Sequence, residues 1–287
     1  EQKERLGTGH AVKQAAPYLP DTGQTLVLYA DVPLITTASL NKLIKSAQRK
    51  KISILTSKIT KPKGYGRIIR DEKMNPTNIR EEADASTQEK TINEIFTGIM
   101  IADNEFLKNG LKGLVRNNKA GEYYLTDLVE YASKRKLPIG STEAKELEVF
   151  GANNKKELEG LYNAMVALNI DAAKKKGTFF KDTSTCYVEG VLKVGKDVSI
   201  GNNVTIKGNV VLGNDVSIGS NVILSNTKIG SNSTIKEFCS IEDSKISENV
   251  EVGPFARLRN GAVLDNSAKI GNFVEVKKSR IGQNAKA

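Results

Sequence analysis

The chain has 287 residues, of which 39% are hydrophobic and 26% are charged, a composition typical of a soluble globular protein. This length predicts two domains, because single domains usually hold roughly 100–200 residues. No apolar run reaches the roughly 18–20 residues that a membrane-spanning helix needs, and the first ten residues, EQKERLGTGH, do not have the pattern of a signal peptide. Membrane insertion is therefore not predicted.

The formal net charge is +10, which fits either anionic ligands or scattered solvated lysine, and we favour the second interpretation. The lysines do not form one long block and aromatic residues are few, so nucleic-acid binding is not predicted. Cys186 and Cys239 are the two cysteines, and their positions do not suit a metal cluster. Two thiols without an export signal predict a reducing compartment.

The first half of the chain predicts an α/β layer. Residues 25–29, TLVLY, form an apolar run that is typical of a buried strand in a parallel sheet. Thr37 or Ser39 can cap a helix, and residues 52–55, ISIL, predict the next strand. Ligands of such sheets bind at the carboxyl ends of strands, which places Asp31 near a nucleotide or metal. Taken alone, an Asp before Val-Pro would only cap a turn.

A connecting helix is predicted in the middle of the chain. Asn154 is suited to be its N-cap, and Glu157 follows three residues later. The run 174–177, KKKG, is typical of a C-terminal stop. The helix would contain about twenty residues and be roughly 30 Å long.

Aliphatic residues recur at nearly every sixth position from Val194 to the end of the chain. The predicted inward-facing anchors are Val194, Ile200, Ile206, Leu212, Ile218, Leu224, Ile229, Ile235, Ile241, Ile246, Val252, Leu258, Leu264, Ile270, Val276 and Ile281. A hexad of this kind forms one short strand and one turn, and three hexads form a triangular coil whose stacking buries an aliphatic column. An ordinary β-sandwich is the alternative, but the fixed spacing favours a solenoid.

Seven segments in a fixed order carry a resemblance to a known family. They are residues 6–11 (LGTGHA), 29–34 (YADVPL), 64–68 (GYGRI), 121–127 (GEYYLTD), 151–154 (GANN), 253–259 (GPFARLR) and 272–278 (NFVEVKK). With these segments the chain closely resembles, over essentially its whole length, the bacterial bifunctional enzymes that make UDP-N-acetylglucosamine. Those enzymes join an N-acetylglucosamine-1-phosphate uridyltransferase to a glucosamine-1-phosphate N-acetyltransferase.

The resemblance implies a fold and an assembly. It implies a Rossmann-like α/β nucleotidyltransferase domain at residues 1–155, a linker helix at 156–176 and a left-handed parallel β-helix of hexapeptide repeats at 177–287. It further implies a cytoplasmic homotrimer, formed through the β-helix, whose product feeds peptidoglycan and lipopolysaccharide synthesis.

The resemblance also implies that both ends of the family's chain are missing. The family's glycine-rich basic loop would precede residue 1, and its catalytic His would follow Ala287. We therefore expect an internal fragment that holds no catalytic residue and has neither activity alone.

The implied uridyltransferase site binds UTP and N-acetylglucosamine 1-phosphate. A sugar phosphate oxygen attacks the α-phosphorus of UTP, so catalysis consists mostly of alignment and charge neutralisation. Asp31 and Asn153 match the family's Mg²⁺ ligands, whose oxygen atoms suit this cation. The other matching substrate positions are Gln2, Gly7 and Thr8 at the uracil end, Tyr29, Gly66, Glu81 and Thr126 around the sugar and its phosphate, and Ala30, where the family often has Gly.

Two of these expectations are open at the sequence level. Glu81 could instead be a surface carboxylate in the charged run 80–82. Phe96 stands where many relatives place an Asn near the sugar.

Arg259 and Lys277 match family positions that bind glucosamine 1-phosphate. Each follows an inward anchor, so both should project outward from neighbouring coils, where two cations could meet one phosphate. Lys277 could otherwise be an ordinary exposed lysine. Acetyl-CoA is the implied co-substrate, and most of its site would lie beyond this chain.

Two other functions remain open. The chain could be a non-catalytic nucleotidyltransferase–solenoid scaffold, an architecture used by subunits of the eukaryotic translation-initiation exchange factor. It could also be a related sugar nucleotidyltransferase whose solenoid serves only assembly. The presence of both half-sites favours the bifunctional enzyme, since a scaffold need not keep Asp31, Asn153, Thr126, Arg259 and Lys277 together.

Overall fold

The structure is a computed structural model that describes residues 2–152 and 154–287. It forms two compact units, Glu1–Leu161 and Tyr162–Ala287. None of the described helices is long and apolar enough to cross a membrane.

The first unit contains a sheet and its helices. Its helices are α1 (Thr8–Ala15), α2 (Thr37–Ser46), α3 (Asn104–Lys112) and α4 (Asp127–Lys134). Its strands are β1 (Gln24–Val27), β2 (Ile52–Lys58), β3 (Arg67–Arg70), β4 (Pro76–Arg80), β5 (Glu94–Asp103) and β6 (Ile139–Glu143). Short 3₁₀ helices lie at Ala16–Tyr18, Glu89–Thr91 and Glu146–Val149.

The sheet of the first unit is mixed, with the order β4-β3-β5-β2-β6. Its central strand, β5, pairs antiparallel with β1 on one side and with β2 on the other, whereas β2 and β6 are parallel. The prediction that residues 25–29 form a buried strand of a parallel sheet is therefore wrong in direction, and it is wrong in burial as well, because residues 25–27 are half-buried and Leu28, beyond the end of β1, is exposed. An apolar run does not reveal the direction of its partner, and β5 is long enough to pair with strands on both of its edges.

Helix α2 has a different cap from the two candidates in the sequence. The Thr36 hydroxyl accepts the Ser39 N–H at 3.2 Å, so Thr36 is the N-cap. Leu43 and Ala47 of this segment are buried beside Leu55 and Ile99 of the sheet. Leu43 and Ala47 therefore face the sheet, whereas Ile44 between them in the sequence is exposed.

Helix α5 (Lys155–Lys174) begins in the first unit and continues into the second. The Glu157 N–H donates to Asn154 Oδ1 at 3.0 Å, and Asn154 Nδ2 donates to Glu157 Oε1 at 2.8 Å. This reciprocal pair is the predicted cap.

The second unit is a parallel β-solenoid. Its first strand is β7 (Phe179–Phe180), which a 3₁₀ turn at Thr183–Thr185 follows. The later strands are β8 (Tyr187–Val194), β9 (Ser199–Ile200), β10 (Thr205–Leu212), β11 (Ser217–Ile218), β12 (Ile223–Ser225), β13 (Lys228–Ile229), β14 (Thr234–Ile235), β15 (Ser240–Glu242), β16 (Lys245–Ile246), β17 (Glu251–Val252), β18 (Arg257–Arg259), β19 (Val263–Leu264), β20 (Lys269–Ile270), β21 (Glu275–Lys277) and β22 (Arg280–Ile281).

The predicted anchors stack in register in three columns. One column runs through Ile200, Ile218, Ile235, Val252 and Ile270; the second through Ile206, Leu224, Ile241, Leu258 and Val276; the third through Leu212, Ile229, Ile246, Leu264 and Ile281. Val194, the first predicted anchor, pairs in register with Leu212 of the third column. All of the predicted anchors except Val194 and Ile281 are buried. Each five-residue step falls between the second and third columns, so it shortens the same corner of the coil. The predicted fold class is confirmed: a nucleotidyltransferase-type α/β unit precedes a three-sided parallel solenoid, which is consistent with a left-handed β-helix.

Candidate active site

Asp31 lies just after β1, beside the segment that leads to α5. Its carbonyl accepts the Ala152 N–H at 3.1 Å. A Cβ on Gly151 would lie 3.5 Å from Asp31 Oδ2, so the glycine lets the backbone approach the carboxylate closely. Asn153, the second predicted metal ligand, lies outside the described residues.

The chemistry of this corner fits Mg²⁺. Magnesium is usually held by one or two carboxylates together with substrate phosphates, and not by a cage of protein ligands. Asp31 supplies an exposed carboxylate. The described residues contain no group of three or more His, Cys, Asp or Glu that could hold a metal by itself. A magnesium ion here would therefore depend on the phosphates of the substrates.

Tyr29 connects several of the predicted substrate residues. Its hydroxyl hydrogen-bonds to the Thr8 side chain, and burial raises the pKa of Tyr29 to about 12, with added contributions from the negative charges of Glu81 and Asp31. The phenol is therefore neutral at physiological pH. Tyr29 thus interacts with residues from three segments of the chain, which contain Thr8, Asp31 and Glu81.

Gly98, which the sequence analysis did not single out, makes room for Tyr29. A Cβ at Gly98 would lie 2.5 Å from two ring carbons of Tyr29, and the φ of Gly98 is +84°. Only glycine adopts this conformation without strain, so β5 can carry the tyrosine ring on its surface. A glycine inside a long apolar strand was the available signal.

Glu81 and Thr126 face each other. The Thr126 hydroxyl donates to Glu81 Oε1 at 2.8 Å, and a Cβ on Gly66 would lie 3.4 Å from Glu81 Oε2. Burial raises the pKa of Glu81, the Thr126 hydrogen bond partly offsets this, and nearby negative charges add to it. Glu81 is half-buried and held in place, unlike a freely solvated surface carboxylate.

The two glycine-containing motifs form one backbone unit. The Gly9 N–H donates to the Tyr123 carbonyl, and the Tyr123 N–H donates to the Leu6 carbonyl, both at 2.8 Å. The Leu125 N–H donates to Thr8 Oγ1 at 3.1 Å. At Gly7, φ is +101°, and a Cβ would lie 2.7 Å from the Tyr123 oxygen. The LGTGHA segment can therefore lie against the GEYYLTD segment only because these positions lack side chains.

Gln2 is attached to this unit through a histidine. Gln2 Nε2 lies 3.0 Å from His10 Nδ1 and donates to the Gly7 carbonyl at 3.3 Å. Gln14 Nε2 lies 3.1 Å from the other ring nitrogen of His10, and the imidazole stacks on Tyr123. Amide nitrogens only donate and a neutral imidazole has one acceptor nitrogen, so one of these two contacts is a hydrogen bond to the ring and the other is not. His10 thus lies between two glutamine side chains and the Tyr123 ring, which fits a structural role.

Two further predicted positions differ in their surroundings. Ala30 is exposed beside Asp31. The Phe96 side chain is 6% exposed and packs in the sheet core, while its N–H donates to the Gly66 carbonyl at 2.8 Å. Phe96 therefore contributes an apolar ring to the core and a backbone contact to the 64–66 segment.

In the second unit, Arg259 and Lys277 are register partners on β18 and β21. Arg259 Nε donates to Glu275 Oε1 at 2.5 Å, and Lys277 is exposed. The predicted outward projection from neighbouring coils is observed. Glu275 forms ion pairs with Arg259 and, at 3.9 Å, with Arg257 of the same strand.

Sequence reasoning also missed Tyr65 and Arg67. The Tyr65 ring is half-buried, and the charge of Asp31 contributes to raising the pKa of its phenol, after burial and the charge of Glu157. Arg67 is 2% exposed at the start of β3. The sequence indicated their segment, residues 64–68, only as a motif, because Tyr65 and Arg67 interact with residues that lie far along the chain.

Comparisons with known proteins agree with this geometry. A nucleotidyl transferase family model matches residues 1–147, and a GMPPB C-terminal domain model matches residues 184–286. Proteins named Bifunctional protein GlmU are 42% identical in Idiomarina loihiensis, 43% in Nitrosomonas europaea and 42% in Nitrosomonas eutropha, in each case over all of this chain and 63% of the relative. The chain thus spans somewhat less than two thirds of the length of these relatives. The predicted resemblance is confirmed, and the chain belongs to the nucleotidyl transferase family.

Proposed function

We propose that the first unit binds UTP and N-acetylglucosamine 1-phosphate and forms UDP-N-acetylglucosamine with release of pyrophosphate. The observation that carries this proposal is the grouping around Tyr29 of side chains from four segments of the chain: Thr8, Asp31 and Glu81 act on the Tyr29 phenol, and Thr126 is hydrogen-bonded to Glu81. The names of the similar proteins support the same reaction.

In this reaction an oxygen of the sugar phosphate forms a bond to the α-phosphorus of UTP, and the bond from that phosphorus to pyrophosphate breaks. Asp31 and Asn153 would hold Mg²⁺, which supplies charge neutralisation for the phosphates. Glu81, fixed by Thr126, can accept hydrogen bonds from sugar hydroxyls. The neutral Tyr29 phenol can donate one. The backbone turn at Gly7 can approach the base closely.

For the second unit we propose a share in acetyl transfer from acetyl-CoA to glucosamine 1-phosphate. Arg259 offers a planar fork of donors for phosphate and Lys277 offers a point charge, and the two stand in register on adjacent coils. A phosphate would have to displace the Glu275 carboxylate from Arg259 or bind beside it. Homotrimer formation through the solenoid and a cytoplasmic location belong to the same proposal.

The test uses the product of the whole open reading frame. Asp31→Ala should lower uridyl transfer by several orders of magnitude, because it removes the proposed metal ligand, and should leave acetyl transfer within about twofold. Asp21→Ala is the matched control, since Asp21 lies before the start of β1, is exposed, and forms its ion pair among the described residues with Lys108. It should behave as wild type. Equal loss of both activities in Asp31→Ala would contradict the assignment of Asp31 to one site.

The same preparation distinguishes the alternatives left open by the sequence. A folded wild type with neither activity would favour a scaffold. Uridyl transfer alone would favour a sugar nucleotidyltransferase whose solenoid serves assembly.

A further inference from the structure

Arg67 holds both sides of a loop that borders the candidate site. Its Nη2 donates to Glu82 Oε2 at 2.7 Å, and its Nη1 donates to the Tyr65 carbonyl. The same Glu82 oxygen accepts the Gly64 N–H at 3.2 Å. The Arg67 guanidinium and the Glu82 carboxylate therefore hold residues 62–66 in place by hydrogen bonds. We call these residues the 62–66 loop.

The 62–66 loop presents two residues to the site. The Tyr65 N–H donates to the Pro62 carbonyl at 3.2 Å, which closes the turn, and the Tyr65 ring packs on the core beside β2 and β5. Gly66 approaches the Glu81 carboxylate, and its carbonyl is held by the Phe96 N–H at 2.8 Å. The position of the loop therefore sets the space next to Glu81.

Stability alone does not explain an arginine here. Only the Arg67 partner of this ion pair is buried, since the Glu82 side chain is 28% exposed, and burying the guanidinium costs hydration that the pair has to offset. The Arg67 side chain is 2% exposed, and its Nε–H is buried without a partner among the residues that the structure describes. What the arginine provides is geometry, since its rigid fork can reach a carbonyl and a carboxylate at once, which a lysine ammonium on a flexible stem does less well.

We propose that Arg67 is a positioning residue that holds the 62–66 loop in the conformation that binds the sugar phosphate, without touching that substrate. This inference rests on the proposed function, in which Gly66 and Glu81 contact the sugar end. It predicts that Arg67 affects the sugar phosphate and not the nucleotide, because Gly7 and Thr8, at the proposed uracil end, lie on the backbone unit built with residues 123–125.

The test compares Arg67→Lys with Arg70→Lys in the product of the whole open reading frame. Arg70 is a matched control: it lies on the same strand in another largely buried pair, with Glu94, and its other hydrogen bonds among the described residues go to Met74 and Ser141, outside the 62–66 loop. Arg67→Lys should raise KM for N-acetylglucosamine 1-phosphate on the order of tenfold to a hundredfold and leave KM for UTP within about twofold. Amide hydrogen exchange of the 62–66 loop should accelerate in Arg67→Lys and not in Arg70→Lys.

Glu82→Gln gives a second, milder variant, because it keeps an acceptor oxygen and removes only the charge. It should shift the same KM and the same exchange in the same direction. Unchanged exchange and KM in both Arg67→Lys and Glu82→Gln would overturn the inference, as would an equal rise in both KM values, which would indicate general loss of structure. A wild type without uridyl transfer would instead overturn the proposed function, and the positioning role with it.

Discussion

Carboxylates crowd the start of α4, next to the candidate site. Asp127 is the first residue of this helix, and burial raises its pKa to about 6, with the charges of Glu130, Glu81 and Asp84 adding to the shift. The pKa of Glu81 is raised by the same causes, burial first. A substrate that brings Mg²⁺ or sugar hydroxyls into this region would relieve part of the repulsion between these carboxylates. The group of carboxylates is therefore more favourable with such a substrate bound than without it.

The raised pKa of Asp127 has a consequence for stability. A carboxyl whose pKa is higher in the folded state contributes stability only while protonated, so its contribution is lost as the pH rises through about 6. Asp127→Asn should therefore stabilise the first unit at pH 8 by about 1–2 kcal/mol, after allowance for partial exposure and for the lost helix-dipole interaction. The gain should shrink below pH 6 and nearly vanish by pH 4, as measured by urea denaturation at several pH values.

Asp71→Asn serves as the control of opposite sign. Hydrogen bonds from Asn75 hold the pKa of Asp71 below its ordinary value, so its ionised form favours the folded state. This variant should not gain stability at pH 8. A gain in both variants would show that the effect of Asp127→Asn is not electrostatic.

Arg259 allows a prediction about the second unit. Arg259→Ala in the whole open reading frame product should lower kcat/KM for acetyl transfer by an amount equivalent to about 1.5–3 kcal/mol, because a charge-assisted phosphate contact is lost. Uridyl transfer should not change. Arg257→Ala is the matched control, since Arg257 projects from the same strand and lies 3.9 Å from the same Glu275. Equal effects of the two substitutions would show that Arg259 acts only as one of several surface charges.

The sequence indicated some site residues better than others. Asp31 and Thr126 were identified because each lies in a short motif that can be compared with a family, whereas Glu81, outside those motifs, was left open. Gly98 and Arg67 were not, because their importance depends on Tyr29 and Glu82, which reach them only in the folded sheet. A motif identifies what a residue resembles, whereas a supporting contact between distant segments becomes visible only in three dimensions.

Among the strands, β5 organises the first unit. It pairs with β1, β2 and β3, and it carries the glycine on which the Tyr29 ring lies. Its local sequence is therefore constrained twice, by burial in the sheet and by space for a site residue.

Gly98→Ala should destabilise the first unit by about 2–5 kcal/mol. The estimate combines roughly 1–2 kcal/mol for a non-glycine residue at positive φ with 1–3 kcal/mol for the overlap with the Tyr29 ring. Gly64→Ala is the control: its φ is +91°, but no atom lies within 4 Å of the added Cβ, so it should cost only the conformational part. Urea denaturation measures both. Equal losses would show that the Tyr29 ring moves aside freely.

Strand and helix predictions succeeded where a periodic pattern was long. The hexads gave each anchor column of the solenoid, because the same spacing recurs on every coil and errors at one position are corrected by the next. In the first unit, residues 25–29 gave a strand but not its antiparallel partner, and the α2 cap fell at Thr36 and not at Thr37 or Ser39. Pairing direction depends on a strand about 70 residues away in the chain, and three adjacent hydroxyl residues offer equivalent caps.

The whole chain builds its apolar interior in separate parts. One cluster of buried residues runs from Val166 to Val276 and belongs to the second unit alone. Two others lie on the two faces of the sheet and belong to the first unit alone. In the second unit, moreover, each coil of the solenoid is stabilised mainly by contacts with the neighbouring coils.

Two cores of this kind should give two unfolding transitions. Leu224 and Leu128 are both 0% exposed, one in each unit, and replacing a buried Leu by Ala usually costs about 2–5 kcal/mol through lost burial and the cavity that remains. Leu224→Ala should therefore lower the midpoint of one calorimetric transition of the 287-residue chain, and Leu128→Ala the midpoint of the other. The two substitutions are matched in chemistry and exposure, so each serves as the control for the other. A single transition that both variants lower equally would show that the two units unfold as one cooperative structure, and the separation of their cores would then have no energetic meaning.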